Sequence, residues 1–425
     1  MASEPNIQQE RTIARRAHAL RQQGQFTQAL QEYDELIAHG HARENSEVIA
    51  AGHLGRGEVK LAQNFYSGHE PALPVNPQHP PPLDEGMATG AIEELTAAVL
   101  ANPASGRAHA QLAESHRMYA RDFMRIMPKR RFRQHLEAAR EGLARTRELL
   151  PERAAWISAH EGAVSMHEAT RALCLEIGGK GKFVEASARF SSSVEALLAD
   201  AEAKFREALT LDPNYGWARH FLAYLLSLKG EHQDAMVKLG ETVMGAGQVA
   251  AGTSTALSMM NRYAAGQMLE QSSGTGRRAK ANAEERERLL QEAIFASRRA
   301  MQENAEDFMA IYAHAASCMD AGTPAAASLA REASGRIVNL GVRALLMAFA
   351  LHKSAGHDEN DFFEFVDSAV GAAHLDLEIA AIAFHDPMWR HSPKHLAGRL
   401  GKLVQSDAPS KSKPKSKRPG ERKPR

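Results

Sequence analysis

The feature that most constrains this chain is a recurrence. Ala201-x3-Phe205-x2-Ala208 returns as Ala235-x3-Leu239-x2-Thr242, each anchor displaced by 34 residues. Positions spaced by four and then three residues share one face of a helix. Small side chains at the Ala and Thr anchors let paired helices approach closely, while Phe205 and Leu239 fill the space between successive units. Between the two sets lie Leu222-Ala223 and Leu226, at helical spacing. Gly230 follows, where a helix turns back on itself. The pattern predicts a helix–turn–helix unit that repeats along the chain.

Pro213 closes the first set, as Ala201-x3-Phe205-x2-Ala208-x4-Pro213. With Leu222-Ala223 at the Leu-Gly position and Leu226 at the aromatic one, this stretch resembles the tetratricopeptide family. The resemblance implies an all-α, right-handed superhelical solenoid of antiparallel helix pairs. In the family, partners usually lie in the concave groove lined by the first helix of each pair. Counting back from Ala235 carries that face onto Trp217, His220 and Tyr224, an aromatic and imidazole strip suited to gripping an extended peptide. The family's clamp for a terminal carboxylate uses Lys and Asn at two of these positions. Here His220 and Tyr224 stand there, with Ala14 and His18 in the first repeat.

The same signature is readable elsewhere. Ile13, Ala17 and Leu20, then Gly24 and Ala29-x3-Tyr33-x2-Leu36, form a first unit. Val48, Ala51, Leu54 and Leu61 open a second, completed by Ala91-x3-Leu95-x2-Ala98-x4-Pro103. A Pro-rich insertion at about 70–86 separates those two halves and predicts an exposed, partly extended loop. Its Pro74-x2-Pro77-x2-Pro80 spacing has the period that proline-recognising domains read. A third unit runs from Gly106 to Ala139-x3-Leu143-x2-Thr146-x4-Pro151. Gly178-Gly179 is expected to stop the helix over 154–177, giving a flexible link at 178–182, and a second link is expected at 272–281. Ala293-x3-Ser297-x2-Ala300 is a degenerate further signature. Two pairs follow, at 307–319 with 324–340 and at 342–354 with 361–370. A closing segment at 375–404, with Asp386-Pro387-Met388-Trp389 and Pro393, resembles the cap of many bacterial arrays of this family. The solenoid is thus expected over 1–405, in six to eight pairs.

Charge is unevenly placed. The net value is +1, yet residues 406–425 hold eight Lys or Arg against Asp407 and Glu421, so the tail carries +6 and the rest −5. The tail's Lys, Ser and Pro mixture predicts disorder. Within the body, Arg117, Arg121, Arg125, Lys129, Arg130, Arg131 and Arg133 are interleaved with Tyr119, Phe123 and Phe132. Arg117, Arg121 and Arg125 fall on one helical stripe, a candidate strip for an anion as well as a solvated face paired with acids. With 44% hydrophobic but only 6% aromatic residues, close-packed helices are favoured over a sheet. Two cysteines, Cys174 and Cys318, fit buried thiols in a reducing compartment. With no secretory start and no apolar run of the ~20 residues a bilayer demands, the chain is expected to be soluble and cytoplasmic.

Catalytic chemistry finds no support. Gly178-Gly179-Lys180-Gly181-Lys182 lacks the Walker spacing, and His160 and His167 stand seven apart rather than four. His385, His391 and His395 sit among helix-breaking prolines, and no Gly-x-Ser-x-Gly elbow occurs. No metal site, cofactor or catalytic residue is expected. The sequence therefore points to a non-enzymatic scaffold or adaptor that holds a peptide or protein segment in its groove. One alternative is a nucleic-acid or anionic-surface binder using the tail and the Arg117, Arg121, Arg125 stripe; a helical enzyme or its regulatory subunit is the second.

Overall fold

The computed structural model describes residues 4–64, 85–124, 127–180, 190–244, 253–271, 277–305 and 308–336. Among them the chain is helical throughout, with α1 Glu4–Gln22, α2 Phe26–Ala42, α3 Ser46–Asn64, α4 Glu85–Ala101, α5 Gly106–Phe123, α6 Lys129–Leu149, α7 Ala154–Lys180, α8 Ser192–Leu211, α9 Gly216–Leu228, α10 His232–Met244, α11 Thr253–Gln271, α12 Arg277–Glu303, α13 Phe308–Asp320 and α14 Ala326–Arg336. Each helix packs on the next in chain order, and the odd-numbered first helices also touch one another from α1 to α7 and from α9 to α13. The result is an all-α solenoid of antiparallel helix pairs, seven of them among the described residues.

The turns between helices repeat their chemistry. First helices α1, α9 and α13 end on Gly24, Gly230 and Gly322, at φ 74°, 86° and 64°, where a side chain would strain the backbone. Just beyond each glycine an amide reaches back over the helix end: Gln25 N–H to Leu20 O at 2.9 Å, Glu231 to Leu226 at 2.9 Å and Thr323 to Cys318 at 3.0 Å. The opposite turns, from second helix to next first helix, use Asn102-Pro103 and Asp212-Pro213. The Asn and Asp side chains accept from Ala104 and Asn214 at 3.1 and 3.0 Å, and proline blocks continuation of the helix. Ser105 and Ser191 cap α5 and α8 through the amides of Ala108 and Val194.

The core forms a line rather than a ball, as expected when each pair buries its apolar face on the next. Ile13, Tyr33 and Leu36 fill the first segment; Leu95, Phe132, Leu136 and Leu143 the second; Leu198, Phe205, Leu222 and Leu239 the third; Ile294, Ile311 and Tyr312 the fourth. The repeat anchors Ala201, Phe205, Ala208, Ala235 and Leu239 are all fully enclosed. Small residues do what the spacing predicts: a Cβ on Gly142 of α6 would lie 2.9 Å from the Ala113 Cβ of α5, so that pair approaches to glycine contact.

Two boundaries differ from the sequence reading. Helix α7 continues through Gly178 and Gly179 to Lys180, and α12 begins at Arg277, inside the stretch expected to be a loop at 272–281. A glycine pair lowers helix propensity without forbidding helix, and Arg277 to Glu287 is rich in Ala, Glu, Lys and Arg, which are strong helix formers. The Pro-rich insertion up to residue 84, the pair expected at 342–354 and 361–370, the cap at 375–404 and the tail at 406–425 lie outside the described residues. No described helix is long and apolar enough to cross a membrane.

Candidate functional site: an aromatic stack braced by a buried ion pair

Polar and aromatic side chains join several of the first helices to one another. Glu58 of α3, only 7% exposed, lies between Arg21 of α1 at 3.5 Å and Arg107 of α5 at 2.5 Å. One helix further, Glu114 and Arg117 of α5 pair through two hydrogen bonds, Nε to Oε2 at 2.9 Å and Nη2 to Oε1 at 2.6 Å. Both side chains also reach α7. His160 Nε2 sits 2.9 Å from Glu114 Oε2, and Arg117 Nη1 sits 2.8 Å from His167 Nε2. Burial opposes ionisation of Glu114, but Arg117 and His160 beside it outweigh burial and hold its carboxyl well below the usual range. Burial, then the Arg117 charge, pushes His167 well below its ordinary value. His167 is thus neutral, with Nε2 accepting from the guanidinium.

On this brace rests a stack of rings. His160 lies between two indoles, 3.8 Å from Trp156 of α7 and 4.8 Å from Trp217 of α9, with both contacts stacked. Its Nδ1 bonds the Trp156 carbonyl at 2.9 Å, which fixes the imidazole plane. Trp217 continues the series to Phe221 at 4.4 Å and to Tyr215 at 6.2 Å, and the Arg117 guanidinium lies 5.9 Å from its ring centre. Below it, Phe205 of α8 meets Trp217 edge-on. Trp156, Tyr215, Trp217 and Phe221 are all partly exposed, whereas His160 is buried. Burial and the Glu114 charge raise the Tyr215 phenol above its ordinary value, so it stays a neutral donor.

The residues singled out from sequence divide accordingly. Trp217 is at the surface of the stack. His220 and Tyr224, 8% and 9% exposed, lie deeper on α9 and contact each other edge-on at 4.9 Å. Arg117 is enclosed at 4% exposure, Arg121 bonds Asp122 at 2.6 Å, and Arg125 lies outside the described residues. Arg117 and Arg121 share α5, and Arg117 faces inward. Sequence reasoning did not assign Trp156, His160 or Tyr215 to the site. The available signal was Trp156 and His160 four apart on one helix face, flanking a helix start after Pro151.

Among the described residues no group of three or more His, Cys, Asp or Glu side chains is placed to hold a metal. Cys318 is a buried free thiol whose pKa burial raises, the opposite of an activated nucleophile. Together the fold and this surface define a helical-repeat array with a partly exposed aromatic cluster on two of its first helices, α7 and α9.

No family model and no curated protein matches the chain. Among solved structures, a human IFIT1 dimer with m7Gppp-AAAA aligns over 92% of this chain and 80% of its own, at 12% identity and a TM-score of 0.45. A human IFIT1 dimer with PPP-AAAA aligns over 76% of this chain and 81% of its own, at 14% identity and a TM-score of 0.26. An IFIT1 monomeric mutant with Gppp-AAAA covers 79% and 81%, at 14% identity and 0.28. Likeness at that level says nothing of what this chain binds.

Proposed function

We propose that the chain is a non-catalytic scaffold of the tetratricopeptide type that holds an extended peptide or protein segment against the first helices of its array. The observation that supports this most is the partly exposed stack of Trp156, His160, Trp217 and Phe221, with Tyr215 at its edge. Aromatic side chains offer large contact area at small entropic loss, and recognition energy concentrates on such anchors. His160, held by Glu114 and the Trp156 carbonyl, stacks between Trp156 and Trp217 before any partner arrives, which reduces the ordering penalty on association. Glu114 is saturated by Arg117 and His160, so the partner meets this face by apolar and stacking contact rather than by ion pairing.

Selection of a displayed random-peptide library on the immobilised full chain tests the reading. The expected result is enrichment of aromatic-containing sequences whose affinity falls at least tenfold in a Trp156→Ala/Trp217→Ala variant, on the order of the ~2 kcal/mol of a hot spot. Selected peptides that bind the double variant as tightly as the parent would place the groove elsewhere.

A further inference from the structure

The basic run between Arg117 and Arg133 splits in the structure. Arg117 is consumed by Glu114 and His167, and Arg121 by Asp122. The four cations that open α6 are different: Lys129, Arg130, Arg131 and Arg133 are all exposed. Arg131 turns aside to Glu85 at 3.0 Å and to the Tyr119 ring. Lys129, Arg130 and Arg133 have neither a hydrogen-bond nor an ion-pair partner among the described residues. Arg171 of α7 packs beneath them, with its Nε and Nη1 buried. Its guanidinium lies 4.5 Å from the centre of the Phe132 ring and donates to the Met127 carbonyl at 2.7 Å. The first acid on α6 is Glu137, and beyond it Arg140 is already neutralised by Glu168 at 2.8 Å.

Among the described residues nothing accounts for this concentration. Cations in the first turn oppose the helix dipole, and Lys129 and Arg133, four apart, repel each other. A local arrangement that works against its own helix, without a compensating contact among the described residues, points to a partner.

We propose that the exposed face made by Lys129, Arg130 and Arg133 is a contact surface for the phosphate backbone of a nucleic-acid strand, bound without regard to sequence. Guanidinium forks match phosphate oxygens in pairs, and arginine predominates here over lysine. A strand offers regularly spaced charges to several of these cations at once, and neutralising them releases counterions. The surface lies on the first turns of α6, apart from the aromatic stack, so either can fail without the other.

The test is binding of a fluorescein-labelled oligouridylate to the full chain, followed by anisotropy across ~50 to ~200 mM salt. The comparison is Lys129→Gln/Arg130→Gln/Arg133→Gln, which removes exposed side chains and relieves α6 of repulsion; circular dichroism checks its fold, and Arg130→Gln alone serves as the milder variant. The expected result is at least a tenfold loss of affinity at low salt in the triple variant, a log–log salt slope shallower by roughly 2, and an intermediate loss for Arg130→Gln. The same differences are expected in chains lacking residues 406–425, which separates this surface from the basic tail. Equal affinity and equal slope in parent and triple variant would overturn the proposal. So would a parent that binds polyglutamate but not oligouridylate.

Discussion

At the scale of single residues, the contrast between Arg117 and an exposed arginine shows how context sets the worth of a charge. Arg117 is buried between Glu114 and His167, whereas Arg206 sits at the surface against Glu202. Removing Arg117 takes two hydrogen bonds from the Glu114 carboxylate and leaves His160 beside it, so Arg117→Ala is expected to lower unfolding free energy by roughly 3 kcal/mol. Arg206→Ala, by contrast, is expected to change it by about 1 kcal/mol or less. Urea titrations of the two variants check this, and an Arg117→Ala loss as small as that of Arg206→Ala would mean the pair is solvated. Phe205→Ala, at a fully enclosed site against Trp217 and Phe221, is expected to remove ~3–5 kcal/mol in the same assay. Phe205 was legible in the sequence because burial there follows from a period. Arg117 was not, since helical spacing gives the stripe but not its neighbour. His167, fifty positions on, becomes its partner only once α5 and α7 are set side by side.

Between elements, the joint of α5 with α6 carries a pH dependence of its own. His116 Nδ1 lies 2.8 Å from His135 Nδ1, a hydrogen bond in which one ring donates and the other, which must be neutral, accepts. The Tyr119 ring of α5 packs on His135 at 4.5 Å, and Arg131 of α6 and Glu85 of α4 complete the charged surroundings. Burial, and then His135, bring His116 down to about 4; burial and Arg131 lower His135 as well. A base whose folded pKa lies below its unfolded value binds fewer protons in the native state. Its contribution is therefore full above the unfolded value near 6.5 and is lost progressively as pH falls from there toward 4. Across that window the parent is expected to lose roughly 2–3 kcal/mol more than His116→Leu, read as a narrowing gap in urea midpoints. A gap that stays constant with pH would contradict the pairing. Helix boundaries at this scale were readable where Gly, Asn-Pro or Asp-Pro supplies backbone chemistry, as at Gly230 and Asp212-Pro213. They were misread at Gly178 and Arg277, where propensity is permissive either way and packing decides.

For the molecule as a whole, a linear core has a consequence that a globular one lacks: stability is local, each pair depending on its neighbours. The pattern of small anchors made that architecture visible from sequence, but it could not show what joins the first helices. The joints turn out to be Glu58 with Arg21 and Arg107, Glu114 with His160, and Arg262 with Asp320. The last is the most enclosed, with Arg262 fully buried, Asp320 nearly so, and their atoms 2.8 Å apart between α11 and α13. Asp320→Asn keeps the shape and removes the charge that faces the buried guanidinium at 2.8 Å; the expected loss is roughly 3 kcal/mol. In a solenoid that loss falls on the pairs that share the joint. Amide hydrogen exchange is therefore expected to accelerate through α11–α14, while α1–α4, whose core of Ile13, Tyr33, Leu36 and Leu95 touches none of these residues, keeps its protection. Uniform acceleration along the chain would show instead that the array unfolds as one cooperative body, and that its pairs are coupled more strongly than nearest-neighbour packing provides.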